Sequence, residues 1–395
     1  MKLNELKILY VCTEFPYPPV SGGLVDMWNR IRALHRLGAR LDVIVTAAAM
    51  PADTDREKVE ALVHRLIFCK RESGRKGILS LKAGPVAIRS SLRTVKLEDQ
   101  YDVVLMQTEF TSDILRNKTL RHKVAIVRVD NDEYAFHLQT AKAERSLLLK
   151  LYFLMEALRV RIHASRILPA MDMLWFVSHD ELGRYRSRYG NRERPFASFL
   201  PTAADLSLMD RPALHGAQVL FVGNLWGALN REAVDWYIRN VHERLSDVPG
   251  YNLAVAGSAM GKRCSWLEEL TRPYSNILVY LDPKDLTQYF RSSAVFVNPM
   301  QRGAGVKLKT IEAVIRGLPI VSTGVGAEGS GLLDNIHYKR ADSAMEFAAR
   351  IKEFLSDRES ASAFVSRSQQ FVAEQYDQEK VLTSLLQRAS ASAAG

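Results

Sequence analysis

The segment 296–329, FVNPMQRGAGVKLKTIEAVIRGLPIVSTGVGAEG, constrains the fold of this chain more than any other part of the sequence. The apolar run 295–297 predicts a buried strand, and the amphipathic run after Lys307 predicts a helix that ends near Gly317. A second strand at 320–321 and a second glycine-rich loop at 324–329 follow. Strand, loop, helix and strand in this order predict a βαβ unit of a parallel α/β sheet.

The first of these loops has the residues expected of an anion site. Gly303 and Gly305 have no Cβ and allow the backbone to approach a ligand closely. Lys307 opens the predicted helix, where free N–H groups and the helix dipole already favour an anion. Arg302 adds a further cation, and Glu312 suits the two hydroxyls of a ribose. Together they predict a site for a nucleotide diphosphate joined to a sugar.

The same segment resembles the nucleotide-sugar site of the GT-B glycosyltransferases of family 4 (group 1), retaining enzymes, in their GAGVK-x-K-x-x-E branch. The match runs from Gly303 to Glu312 and returns at GLPIVST and GVGAEG, which includes Glu328. The resemblance implies that Glu312 holds the ribose and that Lys307 stabilises the departing diphosphate. The usual family form is E-x7-E, and the first Glu is absent because Ala304 occupies its position.

Short apolar strands alternate with helical patterns along the whole chain, which predicts an α/β protein. Strands are expected near 7–12, 41–46, 101–106, 124–129, 173–177, 219–222, 253–256, 277–279, 294–297 and 319–321. The resemblance implies the GT-B fold, with two Rossmann-like domains facing across a cleft. We expect an acceptor domain at 1–205, a nucleotide-sugar domain at 206–375, and a C-terminal helix at 376–395 that returns to the first domain.

Two loops that follow predicted strands extend the donor site. Gly22 and Gly23 lie between the first strand and a helix, and they predict either a tight turn or a phosphate-binding loop. Their position resembles the family loop that closes on the donor diphosphate. Asn224 follows the first strand of the second half, where relatives often place a basic residue. It is a further candidate for donor binding.

Asp130 is the candidate catalytic residue of the first half. The segment Arg128-Val129-Asp130-Asn131-Asp132-Glu133 resembles the family's R-V-H-N-x-E segment, with Asp130 in place of a His that contacts the donor sugar. Asp130 could bind a sugar hydroxyl or act as a general base, with Arg302, Lys307 and Lys309 compensating its charge. The alternatives are a local turn and a D-x-D metal site. We expect neither a metal nor a cofactor.

The chain carries a formal net charge of +10, concentrated in residues 1–210, which hold 33 Lys and Arg against 25 Asp and Glu. No aromatic-interleaved basic motif accompanies these charges, which argues against nucleic acid. Residues 144–168 combine leucines with Arg159, Arg161 and Arg166. This stretch predicts either a core helix or a helix on an anionic membrane surface. Three scattered cysteines and the absence of an 18-residue apolar run indicate a cytoplasmic protein, which the basic helix could hold at the inner face of the membrane.

The sequence therefore predicts a metal-independent glycosyltransferase of hexosyltransferase type. It would transfer a sugar from a nucleotide diphosphate sugar to a glycan or lipid-linked acceptor in bacterial polysaccharide or glycolipid synthesis. Two alternatives stay open. One is a sugar-nucleotide epimerase or hydrolase on the same scaffold, and the other is a non-catalytic partner that binds nucleotide sugars.

Overall fold

A computed structural model describes residues 6–19, 22–130, 132–144, 146–202, 204, 206–210, 214–303 and 305–394. The chain forms two compact units. The first contains residues 1–203 and 378–395, and the second contains residues 204–377. Each unit is built around one fully parallel sheet with its own buried core.

The first unit has a seven-stranded sheet with the strand order β3-β2-β1-β4-β5-β6-β7. Its strands are β1 (Lys7–Cys12), β2 (Arg40–Ala47), β3 (Arg65–Lys70), β4 (Gln100–Met106), β5 (Arg121–Val129), β6 (Met173–Phe176) and β7 (Phe196–Phe199). Its helices are α1 (Gly22–Arg36), α2 (Asp53–Glu60), α3 (Gly74–Leu79), α4 (Gly84–Ala87), α5 (Glu133–Ala143), α6 (Leu147–Ile167) and α7 (His179–Tyr189).

The second unit has a six-stranded sheet with the strand order β10-β9-β8-β11-β12-β13. Its strands are β8 (Ala217–Val222), β9 (Tyr251–Gly257), β10 (Ile277–Leu281), β11 (Val295–Asn298), β12 (Ile320–Ser322) and β13 (Lys339–Arg340). Its helices are α8 (Ala228–Asn240), α9 (Ser265–Thr271), α10 (Thr287–Arg291), α11 (Leu308–Ile315), α12 (Ala344–Ser356) and α13 (Arg358–Gln375). The last helix, α14 (Gln378–Ala394), belongs to the first unit.

The central strands are continuous apolar runs because helices cover both faces of a parallel sheet. In both sheets the strand order reverses beside the first strand, between β1 and β4 and between β8 and β11. Ligands of open α/β sheets bind at such switch points, beyond the carboxyl ends of the strands. The loops that leave β8 and β11 are therefore placed where the sequence predicts the donor.

All ten predicted strands form, and the predicted α/β class is confirmed. Three strands were not predicted, namely β3, β7 and β13, and each of them is an edge strand of its sheet. The prediction of a tight turn at Gly22 and Gly23 was wrong, because both glycines are the first residues of α1. Among the helices of the described residues, none is both long and apolar enough to cross a membrane.

Candidate functional site

The loop between β11 and α11 brings the predicted anion-binding residues together. Gly303 has a φ of +131° and Gly305 a φ of +78°, a backbone region in which a residue with a Cβ is strained. Lys307 is the N-cap of α11, and its Nζ donates to the Gly305 carbonyl at 2.7 Å. The ammonium thus folds back over its own loop, beside the free N–H groups of the helix start.

A buried hydrogen-bond network joins this loop to the second glycine-rich loop. Asn298, at the end of β11, donates from Nδ2 to Thr310 Oγ1 at 3.0 Å and to the Gly326 carbonyl at 2.8 Å. The Thr310 hydroxyl donates to the same carbonyl at 2.7 Å. A Cβ on Gly326 would lie 2.3 Å from Ser322 Oγ, so only glycine fits. The two loops are therefore held as one rigid unit.

Lys309 supplies a second cation in the first turn of α11. Its Nζ donates to Asn230 Oδ1 at 2.7 Å and lies 4.3 Å from the centre of the Phe221 ring. Burial, together with the charge of nearby Lys307, lowers the pKa of Lys309 to about 7. Burial also lowers the pKa of Lys307, while the Glu328 carboxylate acts against that shift. A bound anion would favour the charged form of both lysines.

Glu312 lies one turn beyond Lys309 and keeps 39% of its side chain exposed. Arg316 Nη2 is 3.9 Å from Glu312 Oε1, while Arg316 Nη1 donates to Thr287 Oγ1 at 3.0 Å. Burial raises the pKa of the Glu312 carboxyl, and Arg316 opposes this effect. Glu312 thus offers hydrogen-bond acceptors on the same helix as the two lysines.

Arg302 and Asn224 already have partners within the second unit. Arg302 forms a two-pronged ion pair with Glu232 of α8, at 3.0 Å from Nε to Oε1 and 2.8 Å from Nη2 to Oε2. The side-chain oxygen of Asn224 accepts from the Trp226 N–H at 2.9 Å. Each would have to share or exchange its partner in order to bind a donor. The position of Ala304, where the family has its first Glu, lies outside the described residues.

A cavity of about 690 Å³ opens between α8 and α9. It is lined by Trp226, Ala228, Arg231, Glu232, Asp235, Arg239, Trp266, Glu269, Leu270, Pro273 and Tyr274. None of the residues predicted to bind the donor lines this cavity. The candidate site is instead the surface formed by the two glycine-rich loops and the start of α11.

In the first unit, Asp130 follows β5 and joins a buried cluster of charges. Arg128 Nε lies 2.8 Å from Asp26 Oδ2 and 3.2 Å from Asp130 Oδ1. Gln107 Nε2 donates to Asp130 Oδ2 at 3.1 Å and to Asp26 Oδ2 at 3.3 Å. Arg30, fully buried on α1, donates to Asp26 Oδ1 at 3.2 Å. These residues lie at the carboxyl ends of neighbouring strands or on the helix that follows β1.

Burial raises the pKa of Asp130 to about 7, with Arg128 lowering it and Asp26 raising it. The side chain nevertheless keeps 26% of its surface exposed, so we regard solvent as moderating this effect. Compensating cations were expected at Arg302, Lys307 and Lys309 of the second unit. Within its own unit, Asp130 pairs with Arg128. Asn131, which completes the resemblance here, lies outside the described residues.

Sequence reasoning overlooked Glu109, which follows β4 beside this cluster. Only 5% of Glu109 is exposed, and burial raises its pKa to about 8. The carboxylates of Glu133, Asp130 and Glu181 act in the same direction. The run Gln107-Thr108-Glu109 at the end of a predicted central strand was the available signal. It was missed because it matches no known motif.

The D-x-D reading finds no support in the side-chain geometry. Asp132 accepts from Ala135 N at 2.9 Å and caps α5, while Asp130 faces Arg128 and Gln107. Among the residues that the structure describes, no group of three His, Cys, Asp or Glu side chains is placed to hold a metal ion.

Gly22 and Gly23 begin α1, and a Cβ on Gly23 would meet nothing within 4 Å.

Comparison with known proteins gives a family for the second unit. The family model "Glycosyl transferases group 1" matches residues 216–357, which hold the complete candidate donor site. Residues 216–357 are thus similar to the group 1 glycosyltransferases. The matched residues contain all six strands of the second sheet and helices α8 to α12.

Two further kinds of comparison cover nearly the whole chain. A Klebsiella pneumoniae protein described as an uncharacterized 44.6 kDa protein in the cps region is 29% identical over 388 residues, covering 96% of this chain and 98% of that protein. Anabaena HepE in complex with UDP and glucose superposes with a TM-score of 0.63 at 14% identity, covering 98% and 100% of the two chains. The pneumococcal O-GlcNAc transferase GtfA in complex with UDP and GlcNAc gives a TM-score of 0.61 at 12% identity, covering 98% and 99%. The predicted GT-B fold is confirmed.

Proposed function

We propose that this protein transfers a hexose from a nucleotide diphosphate sugar to a glycan or lipid-linked acceptor. The observation that carries the proposal is the start of α11. There, two glycines of positive φ, two lysines and a half-exposed glutamate lie at the switch point of a parallel sheet. Such a surface suits a ligand with both anionic and hydroxyl groups, and a nucleotide diphosphate sugar has both.

Within this proposal, the loop residues Gly303, Gly305 and Lys307 hold the diphosphate. Charge develops on the departing diphosphate during transfer, and the Lys307 ammonium and the N–H groups at the start of α11 are already oriented to stabilise it. Lys309 adds charge in the same turn. These groups make a divalent cation unnecessary, and we therefore propose a metal-independent enzyme.

Four further residues complete the proposed donor site around this loop. Glu312 accepts hydrogen bonds from the ribose hydroxyls. Glu328 lies in the second glycine-rich loop, and its carboxylate raises the pKa of Lys307 against the effect of burial, which lowers it. We assign Glu328 to the donor sugar. Asn224 and Arg302 are assigned to the rim of the site, where each exchanges its present partner for a donor group.

In the first unit we propose that Asp130 binds a sugar hydroxyl or accepts a proton from the acceptor. A carboxyl group whose pKa is raised to about 7 can exchange a proton near neutral pH. Arg128 and Gln107 fix its orientation. Gly22 and Gly23, the first residues of α1, are assigned to the donor. Acceptor binding by this unit follows the arrangement that the family resemblance implies.

The acceptor class is proposed from the genetic setting of a relative. The Klebsiella pneumoniae relative is described as lying in a cps region, and this agrees with a role in bacterial polysaccharide synthesis. The two solved structures compared above hold UDP together with a free sugar. A uridine diphosphate sugar is therefore the first donor to test.

A thermal-shift screen of nucleotide sugars, followed by a transfer assay on the donors that bind, tests the proposal. We expect one nucleotide class to raise the melting temperature, and Lys307→Ala to abolish that rise. Lys352→Ala is the matched control, because Lys352 lies on α12 and pairs with Asp247. Sugar release without an acceptor would indicate an epimerase or hydrolase. Binding without any turnover would indicate a non-catalytic partner.

A further inference from the structure

Helix α6 carries a row of large apolar side chains on its outer face. They recur every three or four residues and are 42–70% exposed. We call this row the α6 stripe, and it consists of Leu147, Leu151, Leu154, Leu158 and Ile162. Leu148 and Met155 widen it on one side, at 80% and 42% exposure. An amphipathic helix of a globular protein normally turns such a row toward the core.

The inner face of α6 is a different one. Glu156, Ala157 and Val160 are buried, and Glu156 Oε1 accepts from Gly84 N at 2.5 Å. The α6 stripe is therefore not the surface by which the helix packs on its own unit. The core-helix reading of this stretch was wrong for most of its leucines. Contiguous exposed apolar surface of this kind marks a docking surface.

The apolar surface continues beyond the helix. Arg159 Nη1 donates to the Ile78 carbonyl at 3.4 Å, which places the end of α3 at one edge of α6. Ile78 is exposed, and Leu81, three residues further on, is 97% exposed. Among the residues that the structure describes, none packs over the Leu81 side chain enough to bury it.

The charges around the α6 stripe have one sign. At about 100° per residue, Lys150 and Arg161 lie along one edge of the stripe and Arg166 along the other. Arg159 lies beside Arg166 but is only 14% exposed, because it pairs with Glu156 at 3.3 Å. Glu156 is the single acidic residue between Leu147 and Ile167, and it points inward. The outer face of α6 thus combines apolar side chains with cations and has no carboxylate.

We propose that the α6 stripe docks this protein on an anionic lipid bilayer. The leucines would enter the boundary between headgroups and acyl chains, and the flanking cations would contact lipid phosphates. Long basic side chains can reach the headgroups while their methylene groups cover apolar surface. The proposal concerns the first unit alone and does not depend on the donor site.

The charge pattern favours a lipid surface over a second copy of the chain. In a two-fold pair, the same patch faces itself, so the cations along both edges would face cations. An anionic surface neutralises them. An anionic surface also suits the outer face of α6 because that face has no acidic side chain to repel it.

Flotation of the full-length protein with lipid vesicles tests this proposal. We expect binding to vesicles of phosphatidylcholine mixed with phosphatidylglycerol, weak binding to phosphatidylcholine alone, and weaker binding at high salt. Leu151→Glu combined with Leu158→Glu should reduce binding at least about tenfold, since burial of two leucines is lost. Met345→Glu is the matched control, because Met345 is a 72% exposed residue of α12 in the second unit.

Other outcomes would overturn the proposal. These are no binding by the wild type, equal binding to both vesicle types, or unchanged binding by the double Leu→Glu variant. Concentration-dependent dimerisation that the double variant abolishes, without vesicle binding, would assign the stripe to a second copy. If the double variant does not fold, Lys150→Gln with Arg166→Gln replaces it, and unchanged binding would again contradict the proposal. Donor binding in the thermal-shift assay remains measurable whichever result is found.

Discussion

Arg128 Nε lies 3.2 Å from Asp130 Oδ1, so the carboxylate proposed to take part in transfer has its cation within the same unit. Arg128 also contacts Asp26 at 2.8 Å and donates to the Leu200 carbonyl at 2.9 Å. Asp130→Ala should therefore leave Arg128 well paired and the fold intact. We expect it to lower the transfer rate by about a hundredfold or more, with donor affinity little changed.

Asp132→Asn is the matched control for this variant, since Asn is also a good N-cap and should preserve α5. Steady-state kinetics and donor titrations separate the two effects. Near-normal activity of Asp130→Ala would show that Asp130 is only a turn residue. Asp130→His should retain some activity if the residue positions the sugar, and very little if it must accept a proton.

Glu312→Gln should weaken binding of the nucleoside diphosphate about tenfold or more. The reason is that hydrogen bonds to a charged group contribute about 1.5–3 kcal/mol each. Its half-exposed side chain makes only a long contact with Arg316, so the melting temperature should hardly change. Calorimetric titration measures the affinity, with Glu374→Gln on α13 as control. Unchanged affinity together with lost stability would make Glu312 a structural residue.

Binding of a nucleotide sugar should strengthen as the pH falls from about 8.5 to about 6. Free Lys309 has a pKa lowered to about 7, and the diphosphate should raise it, so binding takes up a proton. We expect an affinity change of about tenfold or more over this window. Calorimetry in buffers of different ionisation enthalpy would detect the proton. Lys309→Arg, which stays charged, should remove the pH dependence, and a wild type without proton uptake would refute the assignment.

Glu109→Gln should stabilise the first unit at alkaline pH. The pKa of Glu109 is raised to about 8, so the native state favours the protonated carboxyl and loses stability as the pH rises through that value. At pH 9 the variant should melt at least about 2–4 °C above the wild type, which corresponds to about 1 kcal/mol. Asp130 and Glu181, whose pKa values are raised to about 7, keep their own pH dependence. The substitution Glu98→Gln, at an exposed residue, serves as control. If the Glu109→Gln variant and the wild type melted at the same temperature at pH 9 as well as at pH 5, this prediction would be contradicted.

Transfer should proceed in the presence of EDTA at the rate found without it. Lys307, Lys309 and the start of α11 provide positive charge for the diphosphate, and Asp130 and Asp132 are occupied by Arg128 and by the cap of α5. The assay needs a fully active enzyme before chelation. Loss of activity in EDTA that manganese or magnesium restores would assign a metal to the reaction.

The sequence predicted the central strands and the two glycine-rich loops well, because local patterns specify them. Buried apolar runs, positive-φ glycines and a lysine at a helix start each leave a short-range signal. The charged cluster of the first unit left no such short-range signal in the sequence. An arginine on a helix such as α1 is expected to face solvent, yet Arg30 is fully buried. Its burial is possible because Asp26 and the Pro201 carbonyl accept hydrogen bonds from its guanidinium. Pairs such as Asp26 and Arg128, about a hundred residues apart, become visible only in three dimensions.

Helix α14 follows the whole second unit in the chain but supplies Leu382, Leu385, Leu386 and Ala389 to the core of the first. During synthesis, the first unit therefore cannot complete its core when its own 203 residues have emerged. Domains commonly fold in order as they leave the ribosome. In this chain the first unit can complete its core only after the last helix, α14, has been synthesised. A chain that stops before α14 would keep the whole second unit and an unfinished first unit with apolar surface exposed. Such products are natural substrates for chaperones and proteases, which links completion of the chain to survival of the enzyme.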